Sequence, residues 1–332
     1  MEMQLKKVLI ITGPAGDAQG WGDLGVTETL RDALCANGKS ARIAFVESME
    51  DVTRAIRNHT FDIIWSALYH ISDRAEIVGL SMADDAWLAD RFDGLGLPYI
   101  GPDARTMKQL INKTETHGIL QAAGIAVPDH HQVDAGADLP RMRFPAFVKP
   151  SCESRSVGIS DDSVVENRTQ LAARVAFIHR EYEQPALVEE YLPGQEYTVL
   201  MLGNGGRQEF LPGIVTLDGE YGRYPILRAD LRGVGVTRIK RAETLADESV
   251  ALCRQATETL NCLDHVRVDM RLDRAGRLRI IEVNGIPGLK PVKSWSPQIY
   301  TLYHGSPQGP DHDYRQMVNL IVDSALERYG IG

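Results

Sequence analysis

The chain has 332 residues, of which 43% are hydrophobic and 24% are charged. This length exceeds a typical domain of roughly 100–200 residues, so the sequence predicts two or three lobes. The net charge of −9 disfavours binding to nucleic acids or anionic membranes, which requires a basic face. No apolar run reaches the ~18 residues of a membrane-spanning helix, and the N-terminus predicts a strand and loop in place of a signal peptide.

Strands and helices alternate over the first hundred residues, which predicts a parallel α/β lobe at 1–103. The predicted strands are 6–11, 41–46, 61–65 and 98–101, the predicted helices are 26–37, 49–58 and 84–95, and a glycine-rich loop covers 13–25. The cysteines have no metal-site or redox spacing, so reduced thiols in a cytoplasmic protein are expected. They are Cys35, Cys152, Cys253 and Cys262.

The rest of the chain predicts two further lobes, 104–190 and 191–332, because the composition changes near residue 191. The predicted helices are 104–124, 168–181, 245–260 and 313–328, and the predicted strands are 143–149, 186–189, 196–202 and 209–217. A hairpin is expected from 266–271 and 278–282, across a turn at 273–276.

The first chemical motif, residues 144–160, is a strand ending at Lys149 and a loop of small polar residues. Small residues let backbone N–H groups approach a phosphate, and a strand-end lysine adds a positive charge. Such a loop also suits a lid over a nucleotide. The alternative is a polar hairpin loop with an incidental lysine.

The second motif, residues 186–199, contains Glu189 on a strand, a Pro-Gly turn and then Glu196. The backbone after Glu189 suits an adenine edge, and Glu196 suits ribose hydroxyls. The alternative is a solvated acidic hairpin, the commoner outcome for paired glutamates.

The third motif, residues 267–289, is the most specific. Glu282 and Asn284 are two apart on one predicted strand, so they share a face, and Asp269 lies on the preceding strand. Three oxygen ligands suit Mg²⁺. Arg267 shares the face of Asp269 and is placed to neutralise a transferring phosphoryl group. The alternative is a surface hairpin with charged outer residues.

In this order the motifs resemble the ATP-grasp superfamily, and within it the D-alanine–D-alanine ligase-like branch, over about residues 98–289. The resemblance implies an α/β fold of three lobes with ATP held between the last two. It also implies an ADP-forming carboxylate–amine ligase that works through an acyl phosphate. ATP and two Mg²⁺ ions, or Mn²⁺, are the implied cofactors, and small carboxylates and amines are the implied partners. Relatives suggest a homodimer.

The resemblance assigns roles to individual residues. ATP is expected to contact Lys113, Lys149, Ser151, Ser156, Glu189, Tyr191, Leu192 and Glu196. The metal is expected on Asp269, Glu282 and Asn284, and catalysis is expected from Arg267, Gly288 and Lys149.

Several departures from the family pattern fall where substrates would bind. Arg155 stands where a small residue is expected, and the first glycine-rich loop lacks a Glu-Val-Ser signature, for which Asp23 is the stand-in. His70 matches a substrate-site histidine, although a structural role at a strand end is an equal reading. Lys290 and Lys293 replace a serine-rich segment that holds the acceptor's carboxylate.

Arginines also replace the family's Tyr-Lys-Tyr loop, namely Arg223, Arg228 and Arg232. These cations favour a carboxylate-bearing substrate, with solvated surface charges as the alternative. The hypothesis is therefore a specialised ligase distinct from D-alanine–D-alanine ligase proper. The competing readings are an enzyme with an intramolecular or carrier-bound nucleophile, a D-alanine–D-alanine ligase proper, and a nucleotide-binding regulatory protein.

Overall fold

A computed structural model describes residues 5–71, 74, 78, 87–218, 223–228, 231 and 235–331. In the N-terminal part, β1 (Lys7–Thr12) pairs in parallel with β2 (Ser40–Phe45) and β3 (Ile63–Ser66). Alternate residues of β1 enter two different core clusters. Its continuous apolar run therefore reflects burial on both faces, as in a central parallel strand. The predicted strand at 98–101 is reduced to a single bridge between Tyr99 and Ile64.

Side-chain caps mark the start of two of the N-terminal helices. The helices are α1 (Gly16–Gln19), α2 (Leu24–Cys35), α3 (Met49–Asn58) and α4 (Leu88–Gly94). The Asp23 carboxylate accepts a hydrogen bond from Val26 N at 3.0 Å and so starts α2. Ser48 caps α3 in the same way. The predicted helix at 84–95 begins later, at Leu88, and residues 84–86 lie outside the described residues.

The single helix predicted over 104–124 was wrong, because the structure has α5 (Ala104–Ile111) and α6 (Lys113–Ala122). Asn112 leaves helical geometry at φ −86° and ψ 96°. Its side chain accepts from Glu115 N at 3.3 Å and caps α6. The break places Lys113 in the first turn of α6, where its side chain reaches the neighbouring lobe.

An antiparallel sheet of order β4-β7-β5-β6 forms the central part. Its strands are β4 (His130–Val133), β5 (Ala146–Pro150), β6 (Val164–Val165) and β7 (Ala186–Glu190). The helix α7 (Arg168–Tyr182) packs against this sheet through a shared core cluster. Lys149 therefore emerges near the end of β5, beside β7.

A second antiparallel sheet, of order β10-β9-β8-β11-β12, forms the C-terminal part. Its strands are β8 (Glu196–Leu202), β9 (Glu209–Leu217), β10 (Thr237–Arg241), β11 (His265–Leu272) and β12 (Leu278–Asn284). Three helices pack around it: α8 (Ala246–Thr259), α9 (Trp295–His304) and α10 (Pro310–Arg328). The predicted hairpin of β11 and β12 is confirmed, whereas α9 was not predicted. Within the described residues, no helix is both long and apolar enough to cross a membrane.

The register between β11 and β12 sets the face that carries the third motif. Arg267 lies opposite Asn284, and Asp269 lies opposite Glu282. The register then shifts, so that Met270 pairs with Ile280. The extra residue, Ile281, is a β-bulge, which bends the strand and redirects its side chains.

Asp264 joins the C-terminal lobe to the N-terminal lobe. Its buried carboxylate lies 2.7 Å from Arg328 Nη2 and accepts from Gly101 N at 2.8 Å and from Asn204 Nδ2 at 2.6 Å. Arg328 Nη2 also donates to the Tyr99 carbonyl at 2.9 Å. One buried anion therefore satisfies donors from both lobes.

We expect Asp264→Ala to lower the free energy of unfolding by about 3 kcal/mol, because it removes the charge partner of the partly buried Arg328 guanidinium and the acceptor of Gly101 N. Urea unfolding monitored by circular dichroism measures this. Arg207→Ala is the control, since the exposed Arg207–Glu327 pair is worth at most about 1 kcal/mol. Equal losses in the two variants would contradict the assignment of Asp264 as an interlobe link.

Candidate active site

Two concave spaces meet between the lobes. The inner cleft lies between β5 and β7 on one side and β11 and β12 on the other, and its walls include Lys113, Lys149, Glu189, Glu196 and Glu282. The outer cavity lies against α1 and the chain after β12, and its walls include Gln19, Asp23, Asn284, Gly288 and Lys293. Arg267, Leu227 and Trp295 line both spaces.

Two buried lysines reach the inner cleft from the central lobe. Lys113 Nζ lies 3.1 Å from Glu282 Oε1 and donates to the Glu153 carbonyl. Lys149 Nζ lies 2.9 Å from Glu189 Oε2 and donates to the Ile281 carbonyl at 3.3 Å. Both ammonium groups thus bridge from α6 and β5 to carboxylates or carbonyls that surround the cleft.

Arg267 and Asp269 form a two-pronged ion pair at the junction of the two spaces. Arg267 Nε and Nη2 lie 2.8 and 2.7 Å from the two carboxylate oxygens of Asp269. The guanidinium also lies over the Trp295 ring, 4.8 Å from its centre. Thr198 Oγ1 donates to Asp269 Oδ1 at 2.7 Å, and Asn284 Nδ2 donates to Oδ2 at 3.0 Å. The structure therefore brings Arg267, Asp269 and Asn284 into direct contact.

The residues predicted to hold a metal share one face of the hairpin. Within the described part of the chain, no group of three His, Cys, Asp or Glu side chains is arranged to hold a metal ion. Asp269, Glu282 and Asn284 instead offer two carboxylates and one amide oxygen. That donor set fits Mg²⁺ or Mn²⁺, hard ions that complete their coordination with water and phosphate oxygens. Arg267 and Lys113 neutralise the two carboxylates in this structure.

Charge keeps Glu282 ionised in spite of its burial. Burial by itself would raise the pKa of the Glu282 carboxyl, but Lys113, Lys149 and Arg267 outweigh this and hold the pKa below its usual value. For Arg267, the loss of water is outweighed by Asp269, which raises the pKa of the guanidinium. The junction is thus an array of fixed, compensated charges.

The far end of the inner cleft is apolar, with a carboxyl group beside it. Tyr191, Ile226 and Phe147 pack together there, and Leu192 completes the wall. Such a slot suits a flat base. Burial raises the pKa of Glu196 to about 7, although Arg271 opposes the shift.

The polar loop after β5 separates the inner cleft from the outer cavity. Ser156 lines the first and Arg155 the second, and both have positive φ, 59° and 55°. Arg155 pairs with Asp17, and Ser154 Oγ donates to the Ala18 carbonyl at 2.6 Å. The loop therefore closes against α1. Ser151 lies apart from the cleft walls, donating to Asn112 Oδ1 at 3.2 Å.

The outer cavity has a cationic rim. Lys290 and Lys293 line it, and Lys290 Nζ lies 4.0 Å from Asp23 Oδ2. Gly288 lines it too, and a Cβ there would stand 2.8 Å from Ser294 Oγ. A larger residue would therefore collide with Ser294, and because glycine has no side chain, the backbone at Gly288 is not covered by one.

Other residues predicted for substrate binding lie elsewhere. His70 is fully buried, with Nε2 2.8 Å from the Val78 carbonyl, and its ring packs against Trp87. Arg228 lies 2.5 Å from Asp161, and Arg223 pairs with Glu166. None of the three lines the inner cleft or the outer cavity. Arg232 lies outside the described residues.

Sequence reasoning missed several residues of the site, among them His117. This buried histidine of α6 has Nδ1 3.3 Å from Glu189 Oε1. Burial, together with Lys149, His130 and Lys113, holds the pKa of His117 well below its usual value. The imidazole of His117 thus packs beside the Glu189 carboxylate, although neither of its ring nitrogens has a hydrogen-bond partner among the described residues. A histidine within a polar helix sequence carries no signal of this role.

Sequence reasoning also missed Glu153, Arg271 and Gln19, because only contacts between residues distant in the sequence bring them to the site. Glu153 Oε2 accepts from Val78 N at 3.1 Å, and Arg271 Nη2 donates to the Pro225 carbonyl at 2.7 Å. Cys152 is no reactive thiol here, since burial raises its pKa to about 11.

Comparison with known proteins places this site in a family context. Residues 119–302 match the family model described as D-ala D-ala ligase C-terminus. The uncharacterised y4sG protein of Sinorhizobium fredii is 31% identical over 249 residues, 70% of this chain and 68% of that protein. D-alanine–D-alanine ligase A of Escherichia coli O6:H1 is 26% identical over 262 residues, 76% of this chain and 69% of that enzyme.

Solved structures agree with the architecture. The D-alanine–D-alanine ligase of Bacillus anthracis complexed with ATP superposes with a TM-score of 0.69 at 18% identity, covering 98% of this chain and 100% of that one. The VanG D-Ala:D-Ser ligase of Enterococcus faecalis gives 0.69 at 17% identity, with coverages of 97% and 100%. The expected ATP-grasp fold is confirmed.

Glu196 gives the site a testable dependence on pH. In the unfolded chain its carboxyl ionises near 4.5, and in the folded protein near 7. The folded state binds the proton more tightly, so this contribution to stability is full below pH 4.5 and is lost as the pH rises through 7. We expect Glu196→Gln to lack this contribution.

The measurement is urea unfolding of both proteins between pH 5 and 8. The stability of the wild type relative to Glu196→Gln should fall from pH 5 to about pH 7 and level off above it. Parallel curves for the two proteins would contradict the raised pKa of Glu196.

Proposed function

Because this chain belongs to the D-alanine–D-alanine ligase family, we propose that it joins a carboxylic acid to an amine through an acyl phosphate, using ATP. At the coarser level the chain is an ATP-dependent, ADP-forming ligase of carbon–nitrogen bonds that uses a divalent metal. The observation that carries the finer proposal is the junction at Arg267. There the cation-lined inner cleft opens into the outer cavity.

We propose the same three lobes as the sequence indicates, 1–103, 104–190 and 191–332. ATP would lie in the inner cleft between the second and third lobes. Its base would enter the slot of Tyr191, Leu192 and Phe147, with Glu196 at the ribose. Its phosphates would lie between Lys113 and Lys149, where the two ammonium groups already flank the cleft. The Ser156 end of the polar loop would cover them.

Asp269, Glu282 and Asn284 would hold the divalent metal. When bound, that ion supplies charge neutralisation for phosphate oxygens. The contacts of Arg267 and Lys113 show that the two carboxylates accept cationic partners in this geometry. The amide of Asn284 donates to Asp269 and so fixes the orientation of both side chains.

In the first step, a carboxylate oxygen of the acid attacks the γ-phosphorus of ATP. The bond from that phosphorus to the bridging oxygen breaks, and ADP leaves. Lys113, Lys149 and Arg267 offset the negative charge that the phosphates of ATP and the attacking carboxylate bring together, as phosphoryl transfer requires. Burial strengthens these interactions because water screens them less.

In the second step, the amine nitrogen attacks the acyl carbon from the outer cavity. The tetrahedral oxyanion collapses, phosphate leaves, and the nitrogen loses a proton. Arg267 lies at the junction where both substrates would meet, and the Gly288 backbone amide is the proposed oxyanion donor. The protein mainly positions the reactants and preorganises charge.

The outer cavity supports an acceptor that carries an extra anionic group. Lys290 and Lys293 line its rim. The carboxylates nearby already have partners, because Asp17 pairs with Arg155, and Asp23 lies near Lys290 and accepts from Val26 N. Cations near the acceptor end favour a carboxylate-bearing amine. We therefore propose substrates different from two D-alanines.

The direct test is coupled ADP release with Mg-ATP against carboxylic acids and amino acids of both configurations, singly and in pairs. We expect turnover only with an acid–amine pair, and loss of at least about 100-fold in Asp269→Asn, since one preorganised charged group is removed. Glu258→Gln, an exposed change on α8, is the matched control.

Each alternative gives its own result in this assay. ADP release with one acid alone, and a cyclic product, would replace the intermolecular ligase with an intramolecular one. If D-alanine were preferred both as the acid and as the acceptor, the proposal that the substrates differ from two D-alanines would be wrong. Binding of Mg-ATP without ADP from any pair would favour a regulatory role.

The cationic rim gives a second expectation. The double change Lys290→Gln with Lys293→Gln should raise the KM for a dicarboxylic amine such as glutamate about tenfold. It should change kcat little, because the two lysines would bind the acceptor equally in the ground state and in the transition state. Steady-state kinetics at low and high salt measure this, with the exposed Lys240→Gln as control. An unchanged KM would show that the two lysines are merely solvated.

A further inference from the structure

Gln19 ends α1 at the wall of the outer cavity, and only 2% of its surface is exposed. Its Oε1 accepts hydrogen bonds from Tyr69 N at 2.8 Å and from His70 N at 3.1 Å. Because two backbone N–H groups donate to this atom, it must be the amide oxygen. The other terminal atom of the side chain is therefore the nitrogen of the NH₂ group.

The Nε2 atom of Gln19 is buried, and no group in the described part of the chain accepts its hydrogens. A buried donor without an acceptor is costly and uncommon. The hydrogen bonds from Tyr69 N and His70 N need only the oxygen of the Gln19 side chain, so they do not account for its NH₂ group. The orphaned donor is therefore best explained by an acceptor that arrives with a ligand.

The surroundings of Gln19 locate that ligand near the reacting carboxylate. Tyr69, which donates to Gln19, also accepts a hydrogen bond from Ile286 N at 2.9 Å through its hydroxyl. Ile286 lies two residues after Asn284 in the chain that lines the cavity. On the other side, Ser154 of the polar loop donates to the carbonyl of Ala18, next to Gln19. Gln19 thus lies between the polar loop and the segment that carries Asn284.

A neutral NH₂ donor pairs with an oxygen and repels an ammonium group. The two carboxylates among the described residues that line the outer cavity already have partners, Asp17 with Arg155 and Asp23 with Lys290 and Val26 N. We infer that Gln19 selects an acyl donor with a hydroxyl or carbonyl oxygen beside its carboxylate, in preference to the corresponding amino acid. The inference rests on the proposed ligase function, whose first substrate it specifies.

The experiment compares matched acids in the full-length protein with Mg-ATP. The pairs are lactate and alanine, malate and aspartate, and phenyllactate and phenylalanine, each in both configurations. Hydroxylamine serves as the amine, so that hydroxamate and ADP report activation of the acid whatever the natural acceptor is. Gln19→Glu keeps the oxygen for Tyr69 and His70 but replaces the NH₂ donor with an acceptor. Gln121→Glu makes the same charge change at an exposed position of α6.

We expect the wild type to favour the hydroxy acid of at least one pair by about 10- to 100-fold in kcat/KM, the range for one buried hydrogen bond. Gln19→Glu should invert that preference, and Gln121→Glu should not. Preference for amino acids in the wild type, or a ratio that Gln19→Glu leaves unchanged, would overturn the inference while the ligase function stands. No hydroxamate or ADP from any acid in the wild type would contradict both the ligase function and this role of Gln19.

Discussion

The antiparallel pairing of β11 with β12 is the constraint on which the site depends. It places Asp269 opposite Glu282 and Arg267 opposite Asn284, so four polar side chains of one hairpin meet on one face. The bulge at Ile281 interrupts the ladder beside them, and the Ile281 carbonyl accepts a hydrogen bond from Lys149 Nζ. A shift of one residue in this register would send the same side chains to the opposite face of the sheet.

Around that hairpin the lobes supply compensating charge. Lys113, in the first turn of α6, pairs with Glu282 across the inner cleft, whereas Lys149, near the end of β5, pairs with Glu189 of the neighbouring strand β7. Because these groups are buried, an uncompensated charge would be strongly destabilising. The same cations that balance Glu282 and Glu189 here are the ones proposed to face phosphates. His117, whose pKa burial lowers, lies beside Glu189 without adding to the charge.

The N-terminal lobe completes the site through short contacts. The polar loop meets α1 through Arg155 and Ser154, and the C-terminal lobe is held to the N-terminal lobe by Asp264 and Arg328. The wall of the outer cavity includes α1, the polar loop and the chain after β12, which are distant from one another in the sequence. Specificity for the two substrates is therefore proposed to lie in the contacts between lobes, separate from the hairpin that is proposed to hold the metal.

The sequence alone determined the features that local rules govern. Strand and helix alternation predicted the N-terminal lobe, and the two-residue spacing of Glu282 and Asn284 predicted a shared face, since side chains alternate along a strand. The break at Asn112 escaped prediction because an asparagine cap inside a helical pattern is a weak local signal. Only the tertiary structure decided that Gln19 and His117 belong to the site and that Ser151 and His70 point elsewhere. Burial and pairing across the lobes fix those positions, and no spacing along the chain encodes them.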